Sequence, residues 1–124
     1  MHLAVWKSHT DVAELLLDNG APGHAKNQFG NTPLHLAAWT GHMGVMDLLL
    51  RKCTQTDAVN FSRSTPLHLG ASKGHTGVVE LLLGAGAFIE ATCGNTPLHL
   101  ATRSGHTGTV KLLLMKGASK LARN

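Results

Sequence analysis

Thr32-Pro33-Leu34-His35-Leu36-Ala37-Ala38 decides the fold, because the chain repeats it as Thr65-Pro66-Leu67-His68-Leu69-Gly70-Ala71 and again as Thr96-Pro97-Leu98-His99-Leu100-Ala101-Thr102. Thirty-three residues separate the first two threonines and thirty-one the next pair. A truncated copy opens the chain: His2-Leu3-Ala4 matches the middle of the motif, with Met1 in the place of its leucine. Self-similarity at this period means one structural unit stacked several times.

Threonine directly before proline predicts a helix start. The hydroxyl accepts a hydrogen bond from an orphan backbone N–H, and proline at the first helical position gives up a donor that had no partner. Each helix begins at its proline and runs about two turns until Gly41, Gly74 or Gly105 supplies a left-handed residue. A second apolar run follows, closed by Leu48-Leu49-Leu50, Leu81-Leu82-Leu83 and Leu112-Leu113-Leu114, so each unit is a helical hairpin plus a connector. Neither helix reaches the roughly 12 to 15 residues at which an isolated helix is even marginal in water. Stability must come from stacking units on one another.

Threonine-proline-leucine-histidine, then glycine-histidine, then a leucine triplet, repeated at about this period, resembles the ankyrin repeat family over nearly the whole chain. The resemblance implies an all-α solenoid of stacked helix-turn-helix units whose connectors project as β-hairpin-like fingers. One domain is expected over 1–124: a truncated first repeat (1–29), a second (30–62), a third (63–93) and an uncapped fourth (94–124). The final helix pair is expected to end at Met115, and the bare end suggests either a piece of a longer array or self-association through uncapped ends.

The connectors differ. Arg51 to Ser64 has the fourteen residues of Asp18 to Asn31, but Arg63 stands where Gly30 does and Cys53 replaces another glycine, so its turn should resist φ > 0. Gly84 to Asn95 has twelve, which predicts a shortened finger tip. Gly70 replaces an alanine in a helix interior, at a cost of about 0.5 to 1 kcal/mol, and makes the third repeat the expected weak point.

Composition excludes several classes of function. The 124 residues are 43% hydrophobic, too apolar for a disordered chain. No apolar run approaches the roughly 18 residues that span a bilayer, and no secretory signal pattern opens the chain. Cys53 and Cys93 occupy non-equivalent connector positions, so neither a disulfide nor a zinc site is expected, and a soluble cytoplasmic or nuclear setting follows. Of nine histidines, His2, His35, His68 and His99 belong to the helix-start motif, and His9, His42, His75 and His106 to the turn between helices. His24, the ninth, lies in the first connector. The family resemblance gives the first set a structural role, bonded to backbone and threonine hydroxyls, including those of the adjacent repeat. One imidazole per layer does not make convergent metal ligands. The acids are scattered, no phosphate loop is present, and neither catalysis nor a cofactor is expected.

Function is left to the positions that the repeat does not fix. The last two residues of each first helix are Trp6-Lys7, Trp39-Thr40, Ser72-Lys73 and Arg103-Ser104. The resemblance places this column on the concave face, beside finger residues Asn27, Gln28, Phe29, Phe61, Ser62, Thr92 and Asn95, where partners bind. Trp6 and Trp39 fall in neighbouring layers and either form an aromatic anchor or pack over the next helix. Phe29 and Phe61 either face a partner or pack between fingers. The cations of the column favour a protein or peptide partner with apolar and acidic residues. A net charge of +4 keeps one alternative open, a binder of nucleic acid or another anionic surface, although the basic residues form no stripe.

Overall fold

A computed structural model of the chain describes residues 10–19, 25–52, 55–89 and 94–122. Seven helices lie within them: α1 (Thr10–Asp18), α2 (Pro33–Thr40), α3 (Met43–Lys52), α4 (Pro66–Lys73), α5 (Thr76–Gly84), α6 (Pro97–Arg103) and α7 (Thr107–Ala122). The described residues contain no strand. Pairs α2–α3, α4–α5 and α6–α7 form hairpins that stack in chain order, with α2, α4 and α6 side by side in one layer and α1, α3, α5 and α7 in the other. The expected all-α stack of helix pairs is therefore present. Trp6, Lys7, His2, His9, His24, Cys53, Thr92 and Cys93 lie outside the described residues.

The Thr-Pro motif builds the helix starts as its chemistry demands. Thr32 holds an extended backbone at φ −84°, and its hydroxyl oxygen accepts from the His35 N–H. His35 then fills the place a glutamate takes in the usual capping box: its Nδ1 accepts from the Thr32 N–H at 3.0 Å and lies 2.9 Å from the Thr32 hydroxyl. The same closure recurs at Thr65–His68 and Thr96–His99. Nε2 of His35 donates to the Ser64 carbonyl of the next repeat at 2.8 Å, and His68 Nε2 to the Asn95 carbonyl at 2.9 Å. A carbonyl cannot donate, so Nε2 carries a proton; Nδ1, which accepts from a backbone N–H, carries none, and the ring is neutral. The structural role expected for these histidines holds at His35 and His68, which are buried.

The glycine-histidine turn makes a second connection at the other end of each short helix. His75 Nε2 donates to the Trp39 carbonyl at 3.1 Å, and His106 Nε2 to the Ser72 carbonyl at 3.0 Å. Gly41 and Gly74 end α2 and α4 at φ +77° and +72°. They have a further reason to be glycine, since a Cβ at Gly41 would stand 2.8 Å from the His75 ring and one at Gly74 2.5 Å from His106 Nδ1. The His75 and His106 imidazoles thus stand against the glycines of the layers before them.

Between the layers the core is small and continuous. Leu34, Ala37, Ala38, Val45, Met46 and Leu49 of one hairpin meet Leu67, Ala71, Val78, Val79 and Leu82 of the next. Alanines on the short helices allow the close approach, at about 25 cal/mol for each Å² of apolar surface removed from water. Thr109 is buried in α7, and its hydroxyl lies 3.0 Å from that of Thr76.

Three sequence expectations change in detail. The last helix does not stop at Met115 but continues to Ala122, sixteen residues in all. Gly117 acts as no cap there, and a helix of this length carries much of its own hydrogen bonding. Arg63 does adopt the left-handed turn, at φ +64°. The Gly70 position is not empty: a Cβ there would meet Val78 Cγ1 at 3.1 Å. Valine has closed onto the glycine, which offsets part of what alanine would restore in helix propensity.

Two tests follow from this architecture. Gly74→Ala should cost about 2 kcal/mol or more, and Gly105→Ala about 1, because both force alanine to positive φ but only Gly74 also faces an imidazole. Equal losses in urea unfolding would mean that the ring contact contributes nothing. Burial, reinforced by the Lys26 charge, holds the His35 pKa below the ordinary value of 6.5, although its bonds to backbone oppose the shift. The folded state thus binds fewer protons than the unfolded one, so His35 contributes its full stability above 6.5 and loses it as pH falls toward the lowered folded value. The urea midpoint should fall as pH drops below 6.5, with the His35 ring, followed by NMR, taking up its proton later than a free imidazole. A flat midpoint would contradict this.

Candidate functional site

The fingers are hairpin-like turns held by asparagine. Asn27 N–H donates to the Asn31 carbonyl at 2.9 Å, and Asn27 Oδ1 accepts from the Phe29 and Asn31 N–H groups at 2.9 and 3.0 Å. Asn60, one period later, repeats the arrangement with the N–H groups of Ser62 and Ser64. The two fingers are joined by Asn60 Nδ2 donating to Asn31 Oδ1 at 2.9 Å and by the Phe61 N–H donating to the Phe29 carbonyl at 3.1 Å. In the third finger Ala91 takes the place of the asparagine, and the tip expected to be short lies outside the described residues.

Between these fingers and helices α2 and α4 lies a groove of about 620 Å³. Phe29, Leu36, Trp39 and Leu69 form its apolar surface. Its polar rim, Asn27, Asn31, Asn60 and Ser64 with the His35 ring behind it, is engaged in the bonds just described. The rim therefore sets the shape of the groove, whose lining is mostly apolar. Trp39, 40% exposed, is held from both sides: its carbonyl accepts from His75, and the Lys73 ammonium rests 4.0 Å from the indole centroid. Such a cation–π contact contributes about 0.5 to 1 kcal/mol at an exposed site.

The residues singled out from sequence separate into groups. Trp39, Asn27, Phe29 and Ser62 line the groove, and Lys73 stands over Trp39. Thr40 turns its hydroxyl back to the Leu36 carbonyl, and Ser72 is tied by its carbonyl to His106. Arg103 and Ser104 lie exposed one layer further on, and Asn95 receives the His68 bond. Gln28 is exposed and does not line the groove. The two phenylalanines part company. Phe61 lies across Gly30, where a Cβ would stand 2.6 Å from its ring, and remains 73% exposed; Phe29 faces the groove.

The period holds the signal for that division. Phe29 aligns with Ser62, and both line the groove, whereas Gln28 aligns with Phe61, and neither does. Six lining residues were not singled out from sequence as site residues, Asn31, His35, Leu36, Asn60, Ser64 and Leu69; His35 and the two leucines belong to the repeated helix-start motif and read as framework. Among the described residues no three His, Cys, Asp or Glu side chains converge as metal ligands, and no helix is long and apolar enough to cross a membrane.

The model of the family described as ankyrin repeats (3 copies) matches the chain over residues 1–93 and again over 55–124. Comparison with curated proteins gives no match.

The finger geometry generates a stability test. Arg63 holds a left-handed backbone that Gly30 and Gly94 adopt without side-chain cost, at φ +78° and +99°. Arg63→Gly should raise stability by about 0.5 to 1 kcal/mol, the relief of strain less the added freedom of the unfolded chain. A loss of stability would mean that the arginine side chain makes a contact that outweighs its strain.

Proposed function

We propose that this chain, which belongs to the ankyrin repeat family, is a non-catalytic scaffold that binds a partner protein or peptide in the groove between its fingers and short helices. Ankyrin repeats are in general protein–protein interaction modules. The observation that carries the proposal is Trp39: a large amphipathic ring, half out of the fold, at the edge of an apolar groove whose polar rim is bonded internally. Rigid aromatic rings at such places supply most of the binding energy of an interface. Trp39 and Phe29 are the anchors in this reading. Lys73 and, one layer on, Arg103 supply the charge, while Trp6 and Lys7 would extend the column.

The alternative of an anionic-surface binder draws less support. On the opposite layer Arg51 pairs with Asp47 at 3.2 Å and Lys52 with Asp18 at 2.8 Å, so cations there are offset by acids rather than gathered into a stripe. A cytoplasmic or nuclear setting accords with a scaffold of this kind, and the boundaries 1–29, 30–62, 63–93 and 94–124 are its proposed repeats.

Trp39→Ala should weaken partner binding by at least about 1 to 2 kcal/mol while circular dichroism and the unfolding midpoint stay close to wild type. Unchanged affinity in a calorimetric titration would remove the groove from consideration. A fall in affinity of several hundredfold between low and moderate salt would favour the anionic alternative.

A further inference from the structure

We infer that the groove takes an extended partner segment carrying an apolar side chain and, two residues away, an aspartate or glutamate, and that Lys73 selects the acid. The inference rests on the proposed use of the groove and specifies what fills it.

Charge placement is the first argument. Helices α2, α4 and α6, with sequences PLHLAAWT, PLHLGASK and PLHLATR, contain no acid, while α4 and α6 end in Lys73 and Arg103. The described carboxylates are elsewhere: Asp11, Glu14, Asp18, Asp47 and Glu80 on the other layer, and Asp57 at a finger base accepting from the Phe88 N–H. A carboxylate that approaches Trp39 meets attraction without a competing acid among the described residues.

Lys73 differs from three other cations of the chain. Arg51 and Lys52 are paired with carboxylates, and Lys26 Nζ donates to the Val59 carbonyl at 2.8 Å. Lys73 makes no ion pair among the described residues and rests on a ring face. An ammonium has three donors, so it can accept a carboxylate without leaving the indole. That arrangement brings an incoming acid beside Trp39, adjacent to the place where an apolar side chain would lie.

Spacing supplies the rest. Lys73 Nζ stands 4.0 Å from the Trp39 ring centre, so an apolar side chain against that ring and an acid on the ammonium belong at neighbouring positions on one face of the segment; in an extended chain these are two residues apart, at about 6.6 Å. A phosphate dianion is better served by the fork of arginine. Here one lysine stands at the site and the nearest column arginine, Arg103, is a layer away.

The test is a selection of random nine-residue segments, displayed on phage, against the full chain and its Lys73→Met, Lys73→Glu and Trp39→Ala variants. Wild type should enrich an aliphatic or aromatic residue followed two positions later by Asp or Glu. Individual synthetic peptides from that pool should bind Lys73→Met about five- to tenfold more weakly, and Lys73→Glu should enrich Lys or Arg at the same position. Trp39-dependent binders with no acid preference, or with one unchanged in Lys73→Glu, would overturn the inference and leave the groove reading intact. Binders indifferent to Trp39→Ala would overturn the groove reading itself. A phosphoserine peptide binding more than about tenfold tighter than its aspartate counterpart would overturn the choice of carboxylate.

Discussion

Everything in this fold depends on a neutral imidazole used at both nitrogens. Nδ1 of His35 closes the start of its own helix, and Nε2 reaches the Ser64 carbonyl in the finger of the next repeat. A helix of eight residues cannot persist alone. Here its first turn is completed by its own side chain while that same side chain is clamped by the following layer. Formation of one layer thus fixes the ring orientation that the cap of the preceding layer requires. The second set of histidines repeats the logic at the opposite end of the helix, so α2 and α4 are each tied to the next layer at both ends. Local and long-range order are then the same event.

That two-point fixation explains why the recognition residues sit where they do. Trp39 and Lys73 occupy the C-terminal ends of α2 and α4, next to carbonyls that the glycine-histidine turns hold. A side chain at such a place has a backbone that cannot drift, so little ordering entropy remains to be lost on binding. It is also free of packing duty, since the core is filled by the leucines and alanines further back. The repeat separates the two tasks: periodic positions build the slab, and the unrepeated ends of the short helices display chemistry.

Much of this was legible in the sequence, for identifiable reasons. Thr-Pro, the alanines and the Gly-His turn act through local rules of capping and φ, and local rules can be read from adjacent letters. The groove was only half legible. Trp39, Lys73, Phe29 and Ser62 stand out because they break the period, but His35, Leu36 and Leu69 obey it, and a framework residue gives no sign that its far side borders a cavity. The course of the last helix was not legible either, because Gly117 aligns with Gly86, which turns at φ +96°, yet the helix runs through it to Ala122.

Arg63 shows how the two tasks interact. Its finger needs a left-handed residue, and the first finger meets that need with Gly30, against which Phe61 of the second finger lies. The second finger meets it with an arginine whose strain must be offset elsewhere. The offset is the asparagine bonding: Asn60 holds both following N–H groups and reaches across to Asn31, so the turn is over-determined and tolerates an unsuitable residue. A finger bound this way keeps Ser62 and Ser64 on the groove wall whatever the tip residue is. Shape on that wall is therefore set by amide ladders, which leaves tip side chains such as Gln28, Phe61 and Arg63 free to differ without altering the cavity that Trp39 and Phe29 border.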